Sequence, residues 1–335
     1  MSKILITGVT GFVGTALCNV LRHGDHMLTG ATRTADMGAG PERVPLYHIP
    51  EIGPETNWSQ AVSSAEIVIH LAARVHVMKD RTADPLAEFR HVNTAGTIRL
   101  AEQAAAVGVK RFIFLSTTKI AGELSPPSGF SETNPAQPED PYGVSKWEAE
   151  QAIAEISKIT GMEVVILRPP LVYGPGVKGN FLTLLKAIDR GTLLPLGAIQ
   201  NQRSLIFVGN LADAIVTAAT HSDAAGQTFF ISDEGTVSTS ELIENIAASL
   251  NKKSRLINMP LGLLKLAGAV TGKSGAIQRL IGSLTVDANK IHNLLDWRPP
   301  YTMAEGLKIT AEWWRSEGSA PIIIVSVYLS GGLAV

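Results

Sequence analysis

A tyrosine and a lysine four residues apart, Tyr142 and Lys146, are the residues of this sequence whose spacing most clearly suits chemistry. The pattern from Tyr142 to Thr160 predicts a helix, and side chains at positions i and i+4 lie on the same helix face. A tyrosine with an ordinary pKa of about 10 is a poor base at neutral pH. A neighbouring ammonium can lower that pKa, because its charge stabilises the phenolate. The spacing therefore suits proton transfer, although isolated pairs of this kind are common on solvated helix faces.

Three glycines near the N-terminus, Gly8, Gly11 and Gly14, predict a dinucleotide site. The apolar run at 3–7 predicts a strand before them, and the pattern from Thr15 to His23 predicts a helix after them. Such a turn lets the backbone approach a pyrophosphate and aims the N-terminus of the helix at it. The spacing differs from the common G-x-G-x-x-G, and a flexible loop is the alternative interpretation. The strand and the helix around the turn favour the dinucleotide.

The end of the next predicted strand, at 28–32, indicates which dinucleotide binds. A carboxylate at this place holds the adenosine ribose of NAD, whereas an arginine accommodates the 2′-phosphate of NADP. Here Arg33 follows the strand, and the first acidic residue, Asp36, comes later. We therefore predict NADP, with NAD as the second choice and a solvated loop arginine as the alternative interpretation of Arg33.

The composition is typical of a globular protein with a large buried core. Of 335 residues, 45% are hydrophobic and 18% are charged, which suffices for one large domain or two smaller ones. The 29 basic and 30 acidic residues leave a net charge of −1, with no continuous basic run. The composition therefore predicts no nucleic-acid partner, and an anionic small molecule would need local donors.

The cysteine content and the N-terminus bear on the compartment. Cys18 is the single cysteine, so neither an intramolecular disulfide nor a thiolate metal cluster can form. The first residues run directly into the predicted strand and lack the pattern of a signal peptide. We expect a cytoplasmic protein without a metal site.

Apolar strand patterns alternate with helix patterns along the first half of the chain. The strand patterns at 66–73, 111–116 and 163–168 alternate with helix patterns at 93–107 and 142–160. This order predicts an α/β fold with a Rossmann-type, doubly wound parallel sheet. In such folds the chemistry takes place outside the carboxyl ends of the strands.

The predicted domain division follows from where this alternation loosens. We expect a dinucleotide-binding domain at 1–170, to which the chain returns at about 205–235. A smaller C-terminal domain, built from 171–204 and 236–318, would fold over the open end of the sheet. The residues 319–335 form an apolar tail. Because the apolar run in this tail is shorter than the ~20 residues of a spanning helix, we expect no stable membrane insertion and interpret it as a poorly packed appendage.

Six motifs in a fixed order resemble those of a known family. They are Thr7-Gly8-x-x-Gly11-x-x-Gly14, His70-x-Ala72-Ala73, Asn93-x-x-Gly96-Thr97, Ser116-Thr117, Tyr142-x-x-x-Lys146 and Leu167-Arg168-Pro169-x-x-Val172-Tyr173-Gly174-Pro175-Gly176. Together they resemble the extended short-chain dehydrogenase/reductase family, in the branch of NAD-dependent epimerases and dehydratases that act on nucleotide-activated sugars. The resemblance covers roughly residues 3–315.

The resemblance implies a role for each matching residue. Tyr142 would be the acid/base at the 4-oxygen of the sugar, and Lys146 would lower its pKa and bind the nicotinamide ribose. Thr117 would bind the same sugar oxygen, with Ser116 as the second candidate. The cofactor would contact Gly8, Thr10, Gly11, Phe12, Val13, Gly14, Arg33, Leu71, Ala72, Ala73, Asn93, Ser116, Tyr142, Lys146 and Pro169. Without the family, His70 is better interpreted as a satisfied polar residue than as a catalyst.

The C-terminal half supplies the residues that the resemblance assigns to a UDP-sugar. Asn180 and Arg203 would contact its diphosphate, for which a bidentate guanidinium is well suited. Arg279 is a further candidate, with a structural role equally open. We also expect a homodimer.

Three reactions share this scaffold within the family. The 4,6-dehydratases carry Asp-Glu directly after the catalytic threonine, so Thr118 and Lys119 at those places argue against dehydration. Arg33 and the segments at 116–119 and 201–205 resemble bacterial reductases of UDP-4-keto-6-deoxy-N-acetylhexosamines, which serve polysaccharide and O-antigen synthesis. We therefore predict a 4-ketoreductase, with a UDP-glucose or UDP-N-acetylglucosamine 4-epimerase as the alternative. Lys119 faces either the substrate or solvent, and we favour solvent.

Two other classes share the fold. A catalytically inactive, NADP-sensing regulator usually lacks the Tyr-x-x-x-Lys pair, which this chain retains at Tyr142 and Lys146. A reductase of an apolar carbonyl would have no use for the predicted diphosphate contacts of Asn180 and Arg203. Both classes therefore rank below an enzyme of nucleotide sugars.

Overall fold

The computed structural model describes residues 2–33, 44–75, 84–272 and 274–317. Asp36 and the apolar tail at 319–335 lie outside the described residues. Within the described part of the chain, no helix combines the length and the apolar character needed to cross a membrane.

The strands form one large and one small parallel sheet. The described strands are β1 (Lys3–Thr7), β2 (Met27–Thr32), β3 (Leu46–His48), β4 (Ile67–His70), β5 (Arg111–Leu115), β6 (Glu163–Arg168), β7 (Leu171–Tyr173), β8 (Leu205–Phe207) and β9 (Thr228–Phe230). Seven of them lie in the order β3-β2-β1-β4-β5-β6-β9, and β7 pairs with β8 in the small sheet.

Helices separate most of these strands. The described α-helices are α1 (Phe12–Leu21), α2 (Ser59–Val62), α3 (Pro85–Phe89), α4 (Gly96–Ala106), α5 (Pro141–Thr160), α6 (Gly179–Asp189), α7 (Val208–Thr220), α8 (Thr239–Ser249), α9 (Leu261–Val270), α10 (Ser274–Ile281), α11 (Asn289–Leu295) and α12 (Met303–Glu317). A π-helical segment, Arg90–Ala95, leads into α4, and a short 3₁₀ turn, Thr118–Ile120, follows β5.

The large sheet confirms the predicted doubly wound α/β fold. Its central strands are apolar and buried, as in β4, where all four residues are buried. The strand order reverses beside β1, from which the chain builds outward in both directions. In the register, Thr7 lies opposite His70, His70 opposite Phe114, and Leu115 opposite Leu167. The segments after β1, β4, β5 and β6 therefore meet at one edge of the sheet.

The C-terminal half packs in two places. A second core around Phe181, Leu185 and Ile243 joins α6, α8 and α12 with the small sheet. Within the stretch predicted to return, at 205–235, α7 packs on α1 and β9 extends the large sheet.

The segment from α11 to Trp297 packs into the core that lies between the large sheet and α1 and α7. Ile291 and Trp297 are buried in the same cluster as Leu17, and the Trp297 indole Nε1 donates to Asp213 at 2.8 Å. The predicted division had assigned this segment, as part of 236–318, to the second domain. Its short helix carries too few apolar residues for the sequence to show which core they enter.

Candidate active site

The helix α5 places Tyr142 in its first turn. Pro141 occupies the first helical position, and the Asp140 side chain caps the helix by accepting a hydrogen bond from the Gly143 N–H at 2.6 Å. Lys146 follows one turn after Tyr142, and Glu150 follows one turn after Lys146. One face of α5 thus carries a phenol, an ammonium and a carboxylate in succession.

A buried ion pair fixes α5 on the sheet. Glu150 and Arg168 lie 2.5 Å apart, with side-chain exposures of 1% and 8%. The Arg168 guanidinium also lies over the ring of Phe230, 5.3 Å from its centroid. Because both charges are removed from water, each buried charge is stabilised by the opposite charge of its partner. The sequence analysis missed Glu150, although its i+4 spacing from Lys146 was a signal.

Lys146 is a buried lysine. It is 1% exposed, and its Nζ lies 3.7 Å from the centroid of the Phe114 ring. Burial lowers the pKa of Lys146 to about 7, against the opposing charge of Glu150. In the protein alone, this side chain therefore shares its population between ammonium and amine near neutral pH.

The pKa of Tyr142 departs from the predicted direction. The residue keeps some exposed surface, but burial of the phenol raises its pKa, and the negative charge of Asp140 acts in the same direction. The sequence analysis expected Lys146 to lower it. Burial of the phenol is the largest cause of the shift and outweighs the neighbouring lysine. The phenol of the protein alone is a proton donor at neutral pH.

Ser116 and Thr117 lie at the carboxyl end of β5, next to α5. The Thr117 hydroxyl accepts a hydrogen bond from the Lys119 N–H at 3.3 Å, which closes the 3₁₀ turn. A Cβ on Gly143 would come within 3.0 Å of the Lys119 carbonyl oxygen, so the glycine lets this turn approach the first turn of α5 closely. The buried Ser116 hydroxyl has no hydrogen-bond partner among the described residues.

Lys119 is engaged with protein carboxylates. Its Nζ lies 3.1 Å from Glu123 and forms a shorter contact with Asp140, the cap of α5. Burial acts to lower the pKa of Lys119, but these two carboxylates raise it overall. Lys119 was predicted to face solvent; instead it is half-buried between Glu123 and Asp140, where it steadies the start of α5.

The glycine turn after β1 fits a dinucleotide. Gly8 has a φ of +71° and lies so close to the segment after β4 that a Cβ there would come within 2.9 Å of the Ala72 nitrogen. A Cβ on Gly14 would lie 2.2 Å from the Gly8 oxygen. Gly11 caps α1 without a side chain, so the first N–H groups of the helix receive no side-chain oxygen from it. This cradle and the unsatisfied Ser116 hydroxyl suit the pyrophosphate and the polar groups of a dinucleotide.

The other predicted cofactor residues lie around this cradle. Thr10 is exposed in the turn; Phe12 and Val13 begin α1; Leu71, Ala72 and Ala73 follow β4; and buried Pro169 follows β6, where its carbonyl accepts from the Thr118 N–H at 3.0 Å. Arg33 is exposed directly after β2. The structure therefore collects these residues at the carboxyl edge of the sheet.

Asn93 ties the cofactor side to α5. In the π-helical segment, its side chain donates to the Ser145 hydroxyl and to the Arg74 carbonyl, both at 3.0 Å, and accepts from the Arg74 N–H at 2.8 Å. The Ser145 hydroxyl in turn donates to the Tyr142 carbonyl at 2.8 Å. Asn93 thus positions the backbone of the proton-transfer helix. Its π-helical segment is of a kind that often occurs at functional sites.

His70 is a core residue whose ring nitrogens have hydrogen-bond partners. This is the interpretation that its place in the sequence favoured when the family resemblance was left aside. Its ring nitrogens lie 2.7 Å from the Thr7 hydroxyl and 2.9 Å from the Thr97 hydroxyl. Burial, together with the nearby charge of Lys146, lowers the pKa of His70 to about 3. The imidazole is therefore neutral at physiological pH and links β1, β4 and α4.

The predicted substrate residues lie in the C-terminal half. Asn180 is exposed in the first turn of α6, and Arg279 is exposed near the end of α10. Arg203 is partly buried and donates to the backbone carbonyls of Arg279 at 2.9 Å and of Gly282 at 3.3 Å. Burial lowers the pKa of Arg203, against the charge of Glu123. The structure brings Arg203 to the backbone of Arg279, while no contact joins Asn180 to either arginine among the described residues.

Comparison with known proteins yields consistent relatives. The family model described as "NAD dependent epimerase/dehydratase family" matches residues 4–232. A UDP-glucose 4-epimerase of Vibrio cholerae is 44% identical over 314 residues, which cover 92% of this chain and 94% of that protein. An N-acetyl-alpha-D-glucosaminyl-diphospho-ditrans,octacis-undecaprenol 4-epimerase of Escherichia coli O157:H7 is 27% identical, covering 93% of this chain and 95% of that protein.

A solved structure shares the fold. The crystal structure of a UDP-glucuronic acid 4-epimerase from Bacillus cereus, in complex with NAD, matches with a TM-score of 0.75 at 22% identity. The match covers 94% of this chain and 99% of that one.

Proposed function

The chain belongs to the NAD-dependent epimerase/dehydratase family, and from this premise we propose that it is an NAD(P)-dependent enzyme acting at C4 of a UDP-activated hexose. The observation that carries the proposal is the placement of Tyr142 and Lys146 on one face of α5, beside Ser116 and Thr117 at the end of β5. This arrangement can transfer a proton to or from one sugar oxygen next to the dinucleotide cradle.

The chain's own residues divide the work as follows. The turn of Gly8, Gly11 and Gly14 and the N-terminus of α1 hold the pyrophosphate, and Lys146 and Ser116 offer polar groups to the nicotinamide half. When bound, the cofactor supplies hydride chemistry at C4 of the sugar.

Proton transfer falls to Tyr142. Its protonated phenol donates to the C4 oxygen as an alkoxide develops there, and in the opposite direction the phenolate accepts the proton. The Thr117 hydroxyl orients that oxygen by a hydrogen bond. Protonated Lys146, one turn away, offsets the charge of the phenolate.

On the substrate side, Arg203 and Asn180 contact the diphosphate, with Arg279 in addition. The Arg203 guanidinium has five N–H donors, so its bonds to two backbone carbonyls leave donors for a phosphate. The UDP group is thereby anchored away from the reacting carbon.

The relatives favour 4-epimerisation. The Vibrio relative, at 44% identity, and the undecaprenol-linked relative of Escherichia coli are both 4-epimerases by name. Lys119 is paired with Glu123 and Asp140 and offers no argument against that reaction. By analogy with the Escherichia coli relative, we place the enzyme in polysaccharide or O-antigen synthesis.

A 4-ketoreductase of a UDP-4-keto-6-deoxy-N-acetylhexosamine is the second candidate, and Arg33 favours it. This arginine is exposed directly after β2, where it can bind the 2′-phosphate of NADP. If so, the ratio of NADPH affinity to NADH affinity should exceed one and should fall below one in Arg33→Asp. An unchanged ratio would contradict the NADP assignment.

Product analysis tests the proposed function. The protein is incubated with UDP-glucose, UDP-N-acetylglucosamine and a UDP-4-keto-6-deoxy-N-acetylhexosamine, each with and without NADPH. Interconversion of C4 epimers without added cofactor identifies the epimerase. NADPH consumption with the keto sugar, but with neither of the other two sugars, identifies the reductase. Absence of both reactions over a panel of UDP-sugars would contradict the proposal.

A further inference from the structure

The helix α9 has two apolar faces, and only one of them is covered by the described chain. Leu264 and Gly268 are buried, and Gly268 packs so closely on α10 that a Cβ would come within 2.8 Å of Ile277. A second set lies at positions i, i+3, i+4 and i+7: Leu263, Leu266, Ala267 and Val270. Its three large side chains are 54%, 59% and 80% exposed. A helix with this second stripe has an apolar surface that its own fold does not use.

Neighbouring residues enlarge this surface. Leu193 is 58% exposed and Ile257 is 42% exposed, and the Ile257 N–H donates to the Leu194 carbonyl at 2.9 Å, which holds the two segments together. With Leu263, Leu266 and Val270, they make up five of the fourteen exposed large hydrophobic residues of the described chain. We call these five residues the α9 surface. Such a concentration marks an interaction site.

The sequence around α9 is rich in basic residues, of which Lys252 is paired with Asp189. No Asp or Glu occurs from Asn245 to Val286, a stretch that contains six basic residues: Lys252, Lys253, Arg255, Lys265, Lys273 and Arg279. Lys253, Arg255 and Lys265 are exposed and form no ion pair with any described residue. In a chain with a net charge of −1, this is a local basic excess that would attract an anionic partner.

We propose that the α9 surface docks on a bilayer that contains anionic lipid. Leucine and valine side chains would enter the boundary between head groups and acyl chains, and the lysines and Arg255 would meet the lipid phosphates. A helix parallel to the membrane needs no spanning segment, so the proposal is compatible with the absence of one from the described residues.

The side chains favour a lipid over a protein partner. Cores of protein interfaces are enriched in aromatic residues, and the α9 surface contains none. A second copy of the chain, packed across a twofold axis, would bring Lys253, Arg255 and Lys265 toward their own equivalents. A second copy therefore lacks the charge complementarity that an anionic bilayer provides.

The surface lies on the lobe that holds the candidate diphosphate residues. The helix α9 packs on α10, and the carbonyl of Arg279 in α10 accepts the hydrogen bond from Arg203. Docking would therefore hold this lobe at the membrane, which goes beyond the proposed reaction and does not depend on whether the reaction is epimerisation or reduction.

Flotation with lipid vesicles tests the proposal. The full chain is mixed with vesicles of phosphatidylcholine alone or of phosphatidylethanolamine and phosphatidylglycerol, at low and high salt. We expect binding to the anionic vesicles, weakened by salt. The variant Leu263→Asp/Leu266→Asp should bind at least about tenfold more weakly, since it loses two leucine side chains that would enter the bilayer. The control Ile159→Asp, at a residue 82% exposed on α5, should bind as the unmodified chain.

Three results would overturn the proposal. The first is no binding to anionic vesicles, and the second is full binding by Leu263→Asp/Leu266→Asp. In the third, Ile323→Asp/Val325→Asp abolishes binding in a chain with an intact α9 surface, which would assign the contact to the C-terminal tail instead. Light scattering of the same variants identifies self-association: a dimer lost in Leu263→Asp/Leu266→Asp, without vesicle binding by the unmodified chain, would assign the surface to a second copy.

Discussion

Around Tyr142 the functional side chains are buried and held by several partners, whereas the side chains predicted to contact the diphosphate of the substrate lie at or near the surface. Lys146, Glu150 and Asn93 are each 1% exposed. Asn180 and Arg279, by contrast, are exposed. The proton-transfer side is therefore preorganised by the fold. We expect the substrate side to be completed only when the ligand binds.

Breaking the Glu150–Arg168 pair should show the largest effect on the buried side. Glu150→Gln leaves the Arg168 charge buried without its counter-charge, and we expect the free energy of unfolding to fall by about 3–5 kcal/mol. Urea unfolding measures it. The matched control is Glu148→Gln, which breaks the exposed pair with Arg90 and should cost less than about 1 kcal/mol. Equal losses in the two variants would remove the contrast between buried and exposed charges.

The pH dependence of stability should expose the buried lysine. The pKa of Lys146 falls from 10.5 to about 7 on folding, so between these values the unfolded chain holds a proton that the folded chain releases. The free energy of unfolding should therefore rise with pH across this window, by up to about 1.4 kcal/mol per pH unit. It should be lower at pH 7 than at pH 9.5.

Comparison with Lys146→Met isolates this contribution. Unfolding free energies of both proteins are measured between pH 7 and pH 9.5. The unfolding free energy of the unmodified chain minus that of the variant should increase with pH. A difference that stays constant would show that Lys146 keeps its ordinary pKa in the folded protein.

Substitution of the residues predicted to contact the diphosphate should weaken substrate binding. Arg203→Lys keeps the charge but loses the fork of donors, so we expect KM for the UDP-sugar to rise about tenfold or more, with kcat nearly unchanged. Steady-state kinetics measure both constants. A fall in kcat without a change in KM would place Arg203 in the chemical step instead.

Asn180→Ala should have the smallest effect. An exposed amide that contributes one hydrogen bond to a diphosphate should change KM by about two- to tenfold. Thr183→Ala, one turn along α6, serves as a matched control, because its hydroxyl bonds within the helix to the Gly179 carbonyl. Identical KM values for the Asn180 variant and the unmodified chain would exclude Asn180 from the site.

The parts that the sequence predicted are those with a local pattern. The strand β6 has the predicted bounds, 163–168, because a continuous apolar run is the usual mark of a strand buried in a parallel sheet. The spacing of Ser238 and Glu241 is a local pattern of the same kind, and the two residues form the capping box that begins α8. The order of the large sheet follows from the alternation of strands and helices and from the dinucleotide turn after β1.

The parts that escaped prediction depend on contacts between distant segments. Arg168 and Glu150 meet because β6 and α5 are adjacent in space, and the position of Trp297 beside Asp213 joins residues far apart in the chain. The direction of the Tyr142 pKa depends on burial, which the i+4 spacing to Lys146 does not contain. The α9 surface was missed because its basic residues form no continuous run, although the absence of acids from Asn245 to Val286 was visible.

The most direct test of the central account is the turnover of Tyr142→Phe, measured with the UDP-sugar that the product assay identifies. Loss of the phenolic proton should lower kcat by about 10²–10⁴, while UDP-sugar binding, measured by calorimetry, stays within about threefold of the unmodified chain. Tyr47→Phe, in β3, is the matched control and should keep full activity. Nearly full turnover in Tyr142→Phe would contradict the assignment of proton transfer to this helix.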